Sequence, residues 1–586
     1  KGNFKGEIWQ NQTNFRGNPT FNNSKYKKQF ERKFRFMNEN ISYFLKKGFL
    51  VSPDFLDKLN SIDKSEFFKL VEEKIKNKES LILLNNDLSS NIFSGNNLSL
   101  NWLEFDNSRV LFEKNKNSEL YKTFLDILNY DLDSNKKEEL NNLLEEVKTD
   151  EKNLGLVEEN GDGNNVIILK SYNDESKKRD IQDFVAYFKN RYEFLKEVLS
   201  NRKELQNAIS IKRLLGRDKN EKGAVSLVGL IYDKNITKNG NIILKLEDKT
   251  SIIPLIITKN NPELFNLANN LVLDEVIGIN GFCGDNVVFV NSIFFPDVPL
   301  TKELKKCNEE VYCVFTSDLH IGSKLFLEED FSRFIDWLNC KDCSDEEKKI
   351  VEKINYLFIA GDLIDGIGIY PGQEEDLIIK DVYKQYEKFV YFITKIPKRI
   401  KIIICGGNHD ALRISEPQPI LEKNYVGPLY EQENISFVTN PSLVNIQSSK
   451  DFSGFDVLIY HGYSFPYFAD LVDSIRMEGG QKRADLIMKF LLQRRHLAPT
   501  HTSNLYIPDA NQDPLLIDKV PDFFITGHIH RVNSINYRNI TGLNCGCWVS
   551  QSEEQKKRGL VPDPSKIFLV NLQTREVKIR DFSKNE

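Results

Sequence analysis

The sequence predicts a multidomain α/β protein, in which a layered sheet domain follows a small β-barrel and a small N-terminal helical domain. The chain has 586 residues, which corresponds to about four domains at roughly 150 residues each. The apolar period is close to two over residues 208–299 and changes after Val311 to short buried strands that alternate with helices. Five of these strands end in a cluster of polar residues, which is typical of a sheet with functional groups at its strand ends.

The composition excludes several classes of protein. Lys and Arg number 80 and Asp and Glu 85, for a net charge of -5, which excludes a uniformly basic nucleic-acid coat protein but not a local basic channel. No apolar run approaches the ~18 residues that cross a bilayer, and residues 1–20 contain no apolar signal segment. We therefore expect a cytoplasmic protein without membrane contact.

The cysteines do not predict a disulfide framework. Eight are scattered between residues 283 and 547, which fits a reducing compartment. Cys340 and Cys343 have the spacing of half a zinc site, but no second pair follows. We expect these two residues to be ordinary thiols.

The N-terminal third divides into three segments. Residues 1–25 are polar and without period, and we expect a flexible tail. Residues 26–84 carry apolar side chains at helical spacing and predict a small helical domain that serves for docking. Residues 85–180 are rich in Asn, Lys, Glu and Asp and predict a charged, low-complexity linker.

Residues 181–300 predict a helix followed by a barrel. The helix carries apolar residues on one face between Asp183 and Leu199. Short strands with an Asn-Gly turn at Asn239-Gly240 follow, and a helical segment at 262–271 interrupts them. This order favours an OB-like barrel, which could hold a single nucleic-acid strand, another subunit or only the fold itself.

Residues 301–586 contain the motifs that carry chemistry. Five of the seven histidines of the chain belong to the strand-end clusters, and none precedes His320. The clusters are Asp318-Leu319-His320, Gly361-Asp362-Leu363-Ile364-Asp365, Gly406-Gly407-Asn408-His409-Asp410, His461-Gly462 and Gly527-His528-Ile529-His530. Such oxygen and nitrogen donors suit Mn, Fe, Zn or Mg. Alternate residues of an extended segment share a face, so each D-x-H or H-x-H pair can reach one metal cluster. Asp362 is the candidate for a carboxylate shared by two ions.

The order of these clusters resembles the calcineurin-like metallophosphoesterases, and within them the small subunits of archaeal family-D DNA polymerase. The resemblance covers residues 180–575 and includes the segments 361–373, 494–501, 506–509 and 521–528. It implies a phosphoesterase β-sandwich flanked by helices over residues 301–586.

The resemblance also implies a role for each candidate site residue. It assigns the first metal ion to Asp318, His320 and His530, the second to Asn408, His461 and His528, and a bridging position to Asp362. His409 is implied to be the catalytic acid/base, paired with the carboxylate of Asp365. The ions are expected to be two divalent cations, with Mn first and Fe, Zn or Mg as alternatives.

The implied activity is hydrolysis of DNA phosphodiester bonds by a 3′→5′ proofreading exonuclease. The implied partners are a large polymerase subunit in a heterodimer, single-stranded 3′ ends of DNA, and a sliding clamp, in a nucleoid-associated location. One alternative is a phosphatase or phosphodiesterase with other substrates, although Gly366 and Asp410 stand where many protein phosphatases carry Arg and Glu. Another alternative is a non-catalytic accessory subunit.

Several neighbouring residues allow two interpretations. For His496 and His501, a structural or substrate-side role is favoured over metal ligation. The basic residues Lys482, Arg483, Lys489, Arg494 and Arg495 form either a solvated helix face or a wall that contacts phosphates. Tyr370, Tyr463 and Phe465 could stack on an unpaired base or belong to the core. Trp548 is expected to close the sheet near the metals.

Overall fold

The computed structural model of the chain describes residues 49–51, 82–84, 165–172, 178–217, 223–341 and 343–584. Two compact units lie at residues 1–154 and 155–586. In the first unit, strands β1 (Phe49–Val51) and β2 (Ile82–Leu84) pair in parallel. These two strands correct the helical prediction at residues 49–51 and 82–84. The predicted tail, the rest of the helical domain predicted over residues 26–84 and most of the predicted linker lie outside the described residues.

One part of the predicted linker belongs to the sheet domain. Strand β3 (Val166–Lys170) pairs antiparallel with the strand at Ser442–Ile446. Residues 166–170 therefore correct the linker prediction. The run Val166-Ile167-Ile168-Leu169 is apolar and its first three residues are β-branched, a composition that favours a strand even between polar flanks.

The predicted helix and barrel are present. Helix α1 (Ile181–Ser200) begins at a capping box, in which Asp180 accepts from the Gln182 and Asp183 backbone amides. Five strands then close a barrel in the order β4-β5-β6-β8-β7. The barrel elements are α2 (Ile211–Leu215), β4 (Ala224–Ile236), β5 (Ile242–Glu247), β6 (Ile252–Ile257), α3 (Pro262–Asn269), β7 (Val276–Cys283) and β8 (Val288–Phe294).

The C-terminal domain contains two six-stranded sheets. The first has the order β12-β11-β10-β9-β18-β19 and the second β16-β17-β15-β14-β13-β3. The strands are β9 (Tyr312–Thr316), β10 (Ile354–Ala360), β11 (Lys401–Cys405), β12 (Ile435–Phe437), β13 (Ser442–Ile446), β14 (Phe455–Ile459), β15 (Phe523–Thr526), β16 (Asn533–Tyr537), β17 (Ile540–Asn544), β18 (Lys566–Asn571) and β19 (Val577–Asp581). Strands β9 to β12 run parallel, as do β14, β15 and β17.

The two sheets pack face to face and are flanked by helices, as predicted. Phe315, Phe358 and Phe523 meet in the core between the sheets, whereas the alternate residue Val314 faces the helices outside. These helices are α4 (Glu328–Leu338), α5 (Asp345–Val351), α6 (Val382–Ile393), α7 (Lys423–Tyr430), α8 (Phe465–Leu471), α9 (Asp473–Met477), α10 (Ala484–Arg494) and α11 (Glu553–Lys557). None of the described helices is long and apolar enough to cross a membrane.

A buried ion pair attaches α1 to the sheet domain. The Arg191 guanidinium lies 2.7 Å from Asp513 Oδ2 and donates to the Pro499 carbonyl oxygen at 2.8 Å. His496 Nε2 lies 2.9 Å from the same carboxylate oxygen, and His496 Nδ1 accepts from the Ala498 amide. Since Nδ1 accepts, Nε2 carries the proton and the ring is neutral.

Replacing Arg191 with Met should destabilise this unit by about 3–5 kcal/mol, because Asp513 is left as a buried charge without its cation. Thermal unfolding followed by circular dichroism measures the effect. Lys189→Met is the matched control, since Lys189 is an exposed cation on the same helix. Equal midpoints for the two variants would show that the Arg191 pair does not stabilise the fold.

Acid should destabilise the fold through His496. Burial, and then the charge of Arg191, lower the pKa of His496 to about 4, while an unfolded histidine titrates near 6.5. The folded pKa is the lower one, so the stability contribution is present above pH ~6.5 and is lost as the pH falls toward ~4. As the pH falls from ~6.5 to ~4 in EDTA, the melting temperature of His496→Gln should fall less than that of the unchanged chain. Parallel curves for the two proteins would contradict the assignment of this acid effect to His496.

Candidate metal centre

Five loops meet at one edge of the sandwich, at the carboxyl ends of β9, β10, β11, β14 and β15. They bring together all nine residues that the sequence predicted for the site. These are Asp318 and His320, Asp362 and Asp365, Asn408 and His409, His461, and His528 and His530. The predicted convergence of the strand-end clusters is therefore what the structure shows.

The backbone at this edge is strained. Positive φ angles occur at Asp318 (53°), His320 (49°), Asp362 (51°), His528 (70°) and His530 (54°). A residue with a Cβ atom is disfavoured in this left-handed region, at a cost on the order of 1 kcal/mol or more. Strain at so many candidate ligands is typical of a functional site that the surrounding fold holds in place.

The first cluster consists of Asp318, His320 and His530. His320 Nε2 lies 3.0 Å from His530 Nε2, and His530 Nε2 lies 3.4 Å from Asp318 Oδ1. His320 Nδ1 lies 3.0 Å from Asp365 Oδ1 and donates its hydrogen to this carboxylate. In that tautomer, His320 Nε2 presents a lone pair toward the other two side chains.

The second cluster consists of Asp362, His461 and His528, with Asn408 beside it. His461 Nδ1 donates to the Ala360 carbonyl oxygen at 2.8 Å. In the neutral ring, His461 Nε2 therefore points its lone pair at Asp362 Oδ2, 3.2 Å away, and at Asn408 Oδ1, 3.1 Å away. Asp362 Oδ2 is also 3.7 Å from His320 Nε2, so this carboxylate lies between the two clusters.

The electrostatics of the clusters favour a cation. Burial alone raises the pKa of Asp362, but the charge of His461 and then His409 outweighs burial and holds this pKa well below its ordinary value. Burial lowers the pKa of His461, yet Asp362 raises it to about 10. The carboxylate therefore demands a positive charge beside it, either a proton on His461 or a metal ion that replaces this proton.

The donor set fits divalent metal ions. Lone pairs of imidazole nitrogen, carboxylate oxygen and amide oxygen converge without a fixed donor between them, and these ligand types suit Mn, Fe, Zn and Mg. The same convergence without a cation would leave buried acceptors facing one another. Among the described residues, the three groups that could hold a metal ion all belong to this edge and contain no cysteine. Neither Cys340 nor Cys343 belongs to any of these three groups of described residues.

The predicted pairing of His409 with the Asp365 carboxylate is present as an ion pair that is longer than a hydrogen bond. The carboxylate of Asp365 bonds His320 Nδ1 at 3.0 Å, whereas His409 Nδ1 is 3.9 Å from it. His409 Nδ1 instead donates to the backbone carbonyl oxygen of Asp365 at 2.8 Å. Asp365 therefore orients a candidate ligand with its side chain and His409 with its main chain. The conformation of the Asp365 loop, which sequence spacing cannot reveal, places the carbonyl oxygen of Asp365 closer to His409 Nδ1 than its carboxylate.

Glycines allow the candidate ligands to approach the backbone. A Cβ atom on Gly407 would lie 2.2 Å from Asp362 Oδ1, and one on Gly361 would lie 2.5 Å from His461 Nδ1. Gly361 also has a φ of +89°, which favours glycine.

A supporting layer of side chains was not recognised from the sequence. Gln555, on α11, lies 3.1 Å from His530 Nδ1, and Gln373 donates to Asp365 Oδ2 at 3.2 Å. Asp410 Oδ2 accepts from the Leu363 and Gly407 amides and so ties the second and third loops together. Such partners fix the orientation of ligands, but their spacing along the chain carries no motif.

The basic residues and aromatics with two interpretations now separate. Arg494 and Arg495 are buried; Arg494 pairs with Glu275, and Arg495 donates to the Ile517 carbonyl oxygen. Lys482 is exposed and lines a cleft over the candidate centre. His496 is buried against Asp513, His501 is hydrogen-bonded to Tyr506, and Arg483 pairs with Asp485. Phe465 and Trp548 belong to the core. Tyr463 lies beside His528, and Tyr370 lines the cleft.

The cleft has a volume of about 280 Å³ and opens directly over the clusters. His320, His409, His528 and His530 form part of its lining. A molecule that enters the cleft thus reaches both candidate ligands and His409.

Comparisons with known proteins agree with this geometry. Residues 313–532 match the family model of calcineurin-like phosphoesterases. The chain is 38% identical over 417 residues to the DNA polymerase II small subunit of Methanothermobacter thermautotrophicus, covering 71% of this chain and 83% of that protein. It is 39% identical over 396 residues to the protein of the same name from Methanocaldococcus jannaschii, covering 67% of this chain and 64% of the relative.

A third relative, the DNA polymerase II small subunit of Pyrococcus abyssi, is 36% identical over 406 residues, covering 69% of this chain and 63% of that protein. The chain thus spans most of the first relative and slightly less than two thirds of the other two. A solved asparaginyl-tRNA synthetase from Pyrococcus horikoshii overlaps with 12% of this chain and 19% of its own, at 22% identity and a TM-score of 0.12, which is too little to inform function.

Replacing Asp362 with Ala should abolish binding of both ions, because Asp362 is the carboxylate that lies between the clusters. We expect calorimetric titration with Mn²⁺ to show about two bound ions per unchanged chain and none for the variant. Asp376→Ala is the control, since Asp376 belongs to the loop after β10 but to none of the described metal groups. Full binding by Asp362→Ala would contradict the shared position.

Proposed function

The chain belongs to the family of DNA polymerase II small subunits, and on that premise we propose that it is a metal-dependent 3′→5′ exonuclease within a DNA polymerase. The activity is hydrolysis of the phosphodiester bond at a DNA 3′ end, which serves proofreading. Polymerisation then resides in a large partner subunit, to which this chain also serves as a scaffold. The proposal also includes a sliding clamp as a partner and a nucleoid-associated location in the cytoplasm.

The observation that carries the proposal is the convergence of acceptors from five separate loops into two clusters that share Asp362. We propose that Asp318, His320 and His530 hold one ion and that Asn408, His461 and His528 hold the other. Bound there, two divalent cations act as Lewis acids that polarise a phosphoryl group and neutralise the charge that builds on it. The ions proposed first are Mn²⁺, with Fe, Zn or Mg as alternatives.

His409 is the proposed acid/base residue. Its Nδ1 is held by the Asp365 carbonyl oxygen, and the ring lines the cleft. The opposite ring nitrogen, Nε2, is therefore the one available to a substrate. We propose that the ring takes a second proton from solvent at Nε2 and passes it to the departing 3′ oxygen, a contribution that is typically about 10²–10⁴-fold in rate.

Two alternatives receive less support. A protein phosphatase of this fold would carry Arg and Glu where this chain has Gly366 and Asp410, and Asp410 is buried and bonded to backbone amides. A purely structural accessory subunit has no need for strained ligand backbones or converging acceptors. Release of mononucleotides from a 3′-mismatched primer–template, compared with release of phosphate from monoesters, tests the first alternative directly.

His409→Ala should lower kcat for mononucleotide release about 10²–10⁴-fold, while Mn²⁺ binding measured by calorimetry stays at the level of the unchanged chain. The reason is that the proposal gives His409 contact with the substrate and assigns both ions to other residues, although His409 lies with His320 and Asp362 in one of the three candidate metal groups. His501→Ala is the control, because His501 is an exposed histidine outside the cleft lining. A variant that retains full activity excludes His409 as acid/base, and no activity in either chain with Mn²⁺ or Mg²⁺ excludes the exonuclease.

A further inference from the structure

The charge of the cleft differs from that of the whole chain. The chain carries 80 Lys and Arg against 85 Asp and Glu. The side chains that line the cleft include three cations, Lys482, Arg531 and Arg558, and one carboxylate, Asp365. The Asp365 carboxylate accepts a hydrogen bond from His320 Nδ1, so the negative charge of this carboxylate faces a histidine. The cleft walls therefore attract anions although the protein as a whole is slightly acidic.

The three cations do not have equivalent surroundings. Arg531 donates to the Val561 carbonyl oxygen and its Nε lies 3.2 Å from Asp563 Oδ2. This arginine therefore supports the loop that carries Pro562 and its neighbours. Lys482 and Arg558 are both exposed side chains of the cleft lining.

Lys482 and Arg558 come from different parts of the domain. Lys482 ends the short 3-10 helix Gly480–Lys482 that precedes α10. Arg558 follows α11, the helix that also carries Gln555 against His530 Nδ1. Two cations from separate segments thus line one cleft with the candidate ligands, and the segment with Arg558 is joined to the metal centre by a hydrogen bond.

A monoester or a small diester offers one phosphate, which the metal ions themselves would hold. Further cations on the walls serve a substrate that carries additional phosphates on either side of the scissile one. An unpaired nucleic-acid strand has this chemistry, and its backbone contacts are largely electrostatic.

We infer that Lys482 and Arg558 are positioning residues that bind the phosphates flanking the scissile bond and thereby select a polynucleotide strand over small phosphodiesters. The inference rests on the proposed phosphodiesterase function and adds the residues that define its substrate class. Neither residue contacts the reacting atoms. Their removal therefore weakens strand binding and leaves the metal centre in place.

The first experiment measures binding without catalysis. Fluorescence anisotropy of a labelled single-stranded oligodeoxynucleotide is recorded in EDTA, so that the strand stays intact, with the full chain and with Lys482→Gln, Arg558→Gln and the double variant. The controls are Lys489→Gln and Lys557→Gln, since both residues are exposed lysines close in sequence to the tested positions but absent from the cleft lining.

Each tested variant should bind about three- to fivefold more weakly at low salt, in line with an exposed ion pair. The slope of log affinity against log salt should become less steep by about 0.7 for each lost phosphate contact, with the double variant showing both losses combined. The control variants should keep the slope of the unchanged chain. Tested variants whose affinity and slope equal those of the controls would overturn the inference.

A second experiment compares substrates with Mn²⁺ present. The ratio of kcat/KM for the oligonucleotide to kcat/KM for bis(4-nitrophenyl) phosphate should fall about threefold or more in the tested variants, because only the oligonucleotide has flanking phosphates. An unchanged ratio in active protein overturns the inference. If no chain hydrolyses either substrate, the proposed function fails, while weaker binding and a smaller salt slope in EDTA still support the two residues as strand contacts.

Discussion

Converging acceptors are the constraint on which this site depends. The Asp365 carboxylate and the Ala360 carbonyl oxygen fix the tautomers of neutral His320 and His461 by accepting from Nδ1. Both Nε2 lone pairs then face acidic or amide oxygens at 3.1–3.9 Å. Such an arrangement in a buried site is stable only with a proton or a cation between the acceptors. The hydrogen bonds at Nδ1 of His320 and His461 thus determine what the Nε2 atoms of these residues can bind.

The sandwich makes this arrangement possible. Strands of both sheets end at the same edge, so residues that are about 210 positions apart, such as His320 and His530, lie within 3.0 Å. The left-handed backbone at Asp318, Asp362 and His528 costs free energy that the apolar core between the sheets must offset. Glycines at 361 and 407 leave space for the candidate ligands. Core packing thus offsets the backbone strain that holds the candidate ligands together.

The sequence predicted the parts of the molecule that depend on local pattern. The barrel, a layered sheet and the meeting of the strand-end clusters follow from apolar period and from D-x-H, G-D and H-x-H spacing, whereas the sandwich flanked by helices follows from the family resemblance. The errors concern contacts that spacing does not encode. The hydrogen bond between the Asp365 carboxylate and His320 depends on loop geometry, and the role of Gln555 depends on a helix that packs back on His530. Strand β3 was hidden by its polar flanks, and Arg494 looked like surface although Glu275 pairs with it in the interior.

The most direct test of paired cations at this edge is anomalous X-ray scattering from crystals grown with Mn²⁺. We expect two peaks about 3.5–4 Å apart, one among Asp318, His320 and His530 and the other among Asn408, His461 and His528, with Asp362 in contact with both. A map in which Mn²⁺ lies elsewhere, or in which the seven side chains surround no peak at a saturating concentration, would contradict the two-metal centre.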